Sequence, residues 1–280
     1  MSLPPEQSSA NLPAKSANSA GAILRRWLAH PLTRGLDIDA PGTTEIRRRI
    51  VQEKPFVRRL YEEWYGMIAA AIPSGAGAVL ELGSGPGFLD QYIPDLITSD
   101  LLVCRGVKAV LDAQQLPFAD GSLKAIAMVN VLHHLPRARD FFREAARCVR
   151  PGGVIAMVEP WHTSWSYWVY TRLHFEPFLT NAPDWGFPDS GPLSGANMAI
   201  PWIILHRDRA IFEKEFPQWK IRTLYSYLPL RLLVSGGVSF RNLVPSFTFN
   251  LWRGIEWCLS PWNNRLGLIV FAVLERRPNE

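Results

Sequence analysis

The stretch Val79 to Leu89, VLELGSGPGFL, places glycine at positions 83, 85 and 87, directly after an apolar run that carries one acid, Glu81. Glycine has no Cβ, so such a segment can turn tightly at the end of a strand and pass close beneath a ligand. A dinucleotide fingerprint, G-x-G-x-x-G, would need a third glycine at position 88, where Phe88 stands. Glu81 would also repel a pyrophosphate. It suits a ligand with an ammonium and a sulfonium, so the loop reads as a cofactor seat built on Glu81, Gly83, Ser84, Gly85 and Gly87.

To hold that loop the chain needs a strand ending at Leu82 and, by the same pattern, a helix starting near Pro86. From Ala78 onward short apolar runs (AVLEL, LITS, VKAVLDA, LKAIAMVNVL, GVIAMVEP) alternate with helical spacing, clearest in RARDFFREAARCVR before Pro151. This alternation predicts an α/β fold of parallel strands joined by crossovers, with helices on both faces of the sheet. Upstream, Glu45 to Ala71 has helical spacing interrupted by Pro55. Downstream of Pro160, RDRAIFEKEF predicts a helix, and WKIRTLYSYL and LGLIVFAVLERR predict two closing strands. The expected organisation is a disordered tail (1–21), N-terminal helices (22–75), a cofactor-binding core (76–160), a cap or substrate insertion (161–215), and closing strands with an aromatic-rich insertion (216–280).

The run E-L-G-S-G-P-G resembles the first motif of class I S-adenosylmethionine-dependent methyltransferases. LITSD, AVLDAQQLPFADGSL, VNVLHHLP and CVRPGG follow in the family's order over roughly residues 78–160. The resemblance implies a Rossmann-like sandwich with a mostly parallel seven-stranded sheet, and S-adenosyl-L-methionine as cofactor. It also implies roles. Asp100 would accept from the ribose hydroxyls, a task for an acceptor-only carboxylate, and Asp112 from the adenine amino group. The Ala113 backbone would face the adenine ring, and Asn130 and Val131 would pass the methionine portion. Lys124 stands where the family commonly has aspartate.

Methyl transfer is an in-line displacement, for which a protein supplies position, a dry cavity and sometimes a base; it demands no metal, and none is expected here. Histidine is the side chain best suited to take a proton near neutral pH. His133 and His134 follow the fourth strand and are the catalytic candidates, although one ring of such a pair can simply pack or cap. Glu159 and His162 are further candidates, and His174 is read as structural. All tryptophans except Trp27 and Trp64 lie from Trp161 to Trp262. That richness suits a small apolar, aromatic or lipid-like acceptor bearing an O or N nucleophile, with Trp165 and Trp168 lining its site. If the cap is only packing, the acceptor site falls to the N-terminal helices around Tyr61 and Trp64. Phe247 to Trp262 could instead rest peripherally on a membrane.

Composition narrows the remaining choices. The net charge of +5 is spread among interleaved acids, which disfavours a nucleic-acid partner, although nucleic-acid methylation stays an alternative. Cys104, Cys148 and Cys258 form no C-x-x-C pair, as expected in a reducing compartment. The N-terminus lacks a signal-peptide layout, and the longest late apolar run, Leu266 to Leu274, is too short to span a bilayer, so a cytoplasmic location is expected. A non-catalytic cofactor-binding relative and a nicotinamide-dependent oxidoreductase are the competing readings. Acceptor and oligomeric state are not legible.

Overall fold

In the fifth strand every residue from Gly153 to Pro160 is buried, which no strand achieves with one face open to water. The computed structural model describes residues 27–33, 37, 39–188, 191 and 194–278. Its seven strands are β1 (Ala78–Leu82), β2 (Ile97–Asp100), β3 (Ala109–Val110), β4 (Leu123–Val129), β5 (Val149–Pro160), β6 (Trp219–Tyr227) and β7 (Ile269–Arg276). They form one sheet in the order β3-β2-β1-β4-β5-β7-β6, parallel except for β7, which runs antiparallel to both neighbours. The chain thus adopts the Rossmann-like α/β sandwich. The strand order reverses between β1 and β4, and in such sheets the crevice at the carboxyl ends of those strands is where ligands bind. The expected tail, 1–21, lies outside the described residues.

Helix α1 (Pro41–Glu53) and helix α2 (Pro55–Ala71) are separated only by Lys54, whose backbone is extended (φ −106°, ψ 91°). Pro55 has no N–H and disfavours a helical residue before it, so one helix must end there and another can begin. Phe56, Leu60, Trp64 and Ile68, spaced by four, form the buried stripe of α2. Helix α3 (Ala138–Cys148) buries Phe141 and Phe142, and Phe142 packs on Phe212 and Phe216.

The helix expected from about Pro86 is absent. A short 3-10 turn, Leu89–Gln91, takes its place. Asp95 has φ 58°, closing this segment into a turn before β2. The space is filled by α2: Tyr65 packs edge-on against Phe88 at 4.9 Å, and its hydroxyl accepts the Phe88 N–H at 3.3 Å. Downstream, helix α4 (Ser164–Leu173) starts in a reciprocal cap between Thr163 and Ser166. Helix α5 (Arg209–Glu215) precedes β6, and helices α6 (Arg231–Ser235) and α7 (Phe249–Leu259) lie between the two closing strands.

Candidate functional site

The carboxyl ends of β1, β2 and β4 open on one cavity of about 320 Å³. Gly83 lies at φ 62°, and a Cβ there would come within 2.5 Å of Val131 Cγ2, so the loop sits as close to the end of β4 as only glycine permits. Gly85 donates its N–H to Asp100 Oδ2 at 3.0 Å, and Leu102 N–H donates to Asp100 Oδ1 at 3.0 Å. These bonds hold the Asp100 carboxylate at the cavity wall. Asp112 is held likewise by the Gln114 N–H at 2.8 Å. Asp100, Asp112, Ala113, Asn130, Val131, His133 and His134 all line the cavity with Gly83 and Gly85.

Glu81, Ser84 and Gly87 stand behind that wall. Ser84 Oγ donates to Glu81 Oε2 at 2.6 Å and accepts the Ser99 N–H at 3.0 Å, riveting the loop to β2. Burial pushes the Glu81 carboxyl up to a pKa of about 7, despite the Ser84 hydrogen bond. Gly87 faces α2, where a Cβ would meet the Tyr65 hydroxyl at 2.4 Å. From the other side α1 clamps the turn, with Arg48 Nη2 donating to Gly85 O at 2.8 Å.

The two histidines occupy different electrostatic states. Glu159 is fully buried, and a carboxylate there requires dedicated donors. It accepts from Val131 N–H at 2.7 Å, Leu132 N–H at 2.8 Å, and His133 Nδ1 at 2.7 Å. The other nitrogen of His133, Nε2, faces Glu176 Oε2 at 3.5 Å. Burial disfavours the His133 cation, but the two carboxylates overcome this and lift its pKa to about 9. Burial and the neighbouring His133 lower His134 to about 4, so His134 is neutral. The histidines hold the Glu176 carboxyl well below the usual range against the effect of its burial.

Several expectations about the site need correction. His162 lies outside the cavity lining, packed on Trp202 at 4.6 Å. Glu159 is also outside the lining, its carboxylate bonded to His133 and to the Val131 and Leu132 N–H groups. Trp165 and Trp168 stack on each other with centroids 5.4 Å apart, and Trp165 Nε1 donates to Pro229 O. The cavity is lined instead by Val169, Tyr170 and Leu173 of α4. The two sets follow one another along a single helix, Trp165 lying one turn before Val169 on the same side, and composition alone could not choose between them. Leu60, Tyr61 and Trp64 of α2 line the cavity, as does the segment from Gly236 to Phe240. His174, read as structural, is also in the lining, and Glu176 carried no sequence signal at all, since it lies in an irregular segment without periodicity.

Residues 80–157 match the sequence model of the family described as methyltransferase domain. Over residues 80–157 the chain carries a methyltransferase domain, a family whose cofactor is S-adenosyl-L-methionine. The chain is 41% identical over 53 residues to 27-O-demethylrifamycin SV methyltransferase of Amycolatopsis mediterranei (strain S699), a match covering 19% of this chain and 20% of that protein. A chain in the complex between the Haloferax volcanii Trm112 methyltransferase activator and a methyltransferase shares the fold. That likeness has a TM-score of 0.52 at 11% identity and covers 87% of this chain and 99% of the other. The residues present fit the cofactor: the cavity wall offers open glycine backbone and two carboxylates suited to hydroxyl and amino donors, with a third, Glu81, behind it.

Proposed function

We propose that the protein methylates an oxygen or nitrogen nucleophile of a small, largely apolar acceptor, using S-adenosylmethionine bound at the glycine loop. The observation that carries this reading is the continuity of the cavity. Its lining brings Gly83, Gly85, Asp100 and Asp112 together with Leu60, Tyr61, Trp64, Tyr170, His133 and His134. Cofactor and acceptor can therefore meet without crossing solvent, which is what positioning an in-line displacement requires.

Bound S-adenosylmethionine supplies a methyl group on a positively charged sulfur. Asp100 receives the ribose hydroxyls and Asp112 the adenine amino group, each carboxylate already oriented by backbone N–H groups. The end of β4, at Asn130 and Val131, borders the methionine portion. Asn130 has φ 57°, which turns the chain out of the strand at the point where the cavity begins. His133 and His134 form the polar end that receives the acceptor's nucleophile. The curated relative is by its name a methyltransferase of 27-O-demethylrifamycin SV, which favours oxygen.

The test is incubation of cell extract with purified protein and isotopically labelled S-adenosylmethionine, followed by mass spectrometry. A labelled small molecule is expected; label appearing only in nucleic acid, or nowhere, would refute the reading. A subordinate reading, peripheral contact with a membrane, is favoured by α7. Leu251, Ile255 and Trp257 of α7 are exposed, Trp257 at 77%, as are Phe247 and Trp262 in the short turns that flank it, Phe247 at 86%. No helix among the described residues is long and apolar enough to cross a membrane.

A further inference from the structure

Two imidazoles and a carboxylate meet at the polar end of the cavity in a way that the cofactor does not require. One potential ligand atom from each of His133, His134 and Glu176 lies within 4.8 Å of the others. Both rings have Nδ1 already engaged. His133 Nδ1 meets Glu159 Oε2 at 2.7 Å, and His134 Nδ1 meets the Gly195 carbonyl at 3.2 Å, which as an acceptor requires the proton on that nitrogen. That leaves Nε2 of each ring for another partner. Both turn towards the same carboxylate: His133 Nε2 is 3.5 Å from Glu176 Oε2, and His134 Nε2 is 3.9 Å from Glu176 Oε1.

We propose that His133, His134 and Glu176 form a two-histidine, one-carboxylate site for a divalent transition-metal cation, with its open positions facing the acceptor. Zinc bonds to nitrogen and oxygen are about 2.0–2.2 Å, which separates neighbouring ligand atoms by roughly 3.0–3.5 Å. The spacings of 3.5 and 3.9 Å from the rings to the two Glu176 oxygens need only a small contraction, and the three ligand atoms, within 4.8 Å of one another, must close their widest pair by up to about 1.3 Å as the cation takes the position between them. Ligating histidines characteristically donate the second ring N–H to a carboxylate or carbonyl, which fixes the ring and strengthens the ligand; Glu159 and Gly195 O stand in those places. The set also differs from a surface cluster of acids, because His133 and Glu176 are buried and all three residues line the cavity. Imidazole nitrogen selects zinc, iron or nickel over magnesium. Three protein ligands leave at least one position for an acceptor hydroxyl, whose proton is released to solvent as its oxygen binds the cation.

The identity of the acceptor rests on the methyl-transfer reading; the cation does not. The full-length protein, freed of metal, is titrated calorimetrically with Zn²⁺ alone and with Mg²⁺ alone, folding being checked by circular dichroism. One Zn²⁺ per chain is expected, with no saturable heat from Mg²⁺. His134→Gln, which alters a partly exposed ring, and Glu176→Gln are each expected to weaken Zn²⁺ at least tenfold. Glu159→Gln, which keeps all three ligands but removes the anchor of His133, is expected to weaken it about 10- to 100-fold. In the unaltered protein, Co²⁺ is expected to give ligand-field bands of nitrogen and oxygen coordination without thiolate charge transfer. No Zn²⁺ binding, unchanged affinity in folded variants, or a thiolate signature from a cysteine site would each overturn the proposal. S-adenosylhomocysteine titrated into the same preparation reports separately on the function: binding of the nucleoside without Zn²⁺ refutes the cation alone, and Zn²⁺ without the nucleoside refutes the methyl-transfer reading alone.

Discussion

In the proposed cofactor site, Glu81 behind the cavity wall would couple binding to pH. Its carboxyl keeps a proton in the fold up to a pKa of about 7, against an ordinary value of 4.5. Between those values the unfolded chain binds fewer protons than the folded one, so the contribution of Glu81 to stability falls as pH rises through that window. A ligand cation close by favours the carboxylate and expels the proton. Affinity for S-adenosylmethionine is therefore expected to rise from pH 5.5 to about 7 and then level off. Calorimetry at pH 6 in two buffers of different ionisation enthalpy should show proton release in the parent and none in Glu81→Gln; buffer-independent heat in the parent would contradict this. His133 carries the same sign in a higher window: its stabilisation is full below pH 6.5 and is lost as pH rises through about 9. The alkaline fall in melting temperature should be shallower in Glu159→Gln, and an unchanged fall would place the titration elsewhere. The histidine pair itself was legible in VNVLHHLP. Its split into a cation and a neutral ring was not, because that depends on Glu159 and Glu176, 26 and 43 positions beyond His133 by their residue numbers.

Helices decide which aromatic residues reach the acceptor. Tyr61→Leu and Trp64→Phe, on the cavity side of α2, are expected to raise the acceptor's KM about tenfold, the equivalent of roughly 1.4 kcal/mol. Alanine at Trp165 and Trp168, which do not line the cavity, should leave KM unchanged; the reverse outcome in steady-state kinetics would return the acceptor site to those two rings. Lys54, between α1 and α2, donates to the carbonyls of Ser235, Gly237 and Phe240 at 2.7, 2.6 and 2.8 Å, and so holds the loop that lines the cavity. Lys54→Met orphans three acceptors and is expected to cost roughly 2–4 kcal/mol in denaturant unfolding; a change under about 0.5 kcal/mol would mean that the loop is held elsewhere. The break at Pro55 was legible because proline acts locally. The missing helix after Pro86 was not, since its place is taken by α2, whose Tyr65 comes from an earlier part of the chain.

At the scale of the whole molecule, the fold was readable from β1 to β5, where each buried strand is a short apolar run and the motifs follow in order. It was less readable after Pro160, where irregular segments carry Glu176 and Gly195 to the site by tertiary packing. The exposed face of α7 has an orienting role if it docks. Phe247→Ser with Trp257→Ser is expected to reduce co-sedimentation with liposomes while leaving cofactor affinity intact; equal sedimentation of parent and variant would remove the membrane reading. The central claim is that the glycine-loop cavity holds S-adenosylmethionine, and calorimetric titration of the parent and Asp100→Ala tests it most directly. The account expects one S-adenosylmethionine per chain and no binding of NAD. In the variant, which should melt nearly as the parent does, a loss of about 1.5–3 kcal/mol is expected, or roughly 10- to 150-fold in Kd. Binding of NAD without S-adenosylmethionine, or an unchanged Kd in Asp100→Ala, would contradict it.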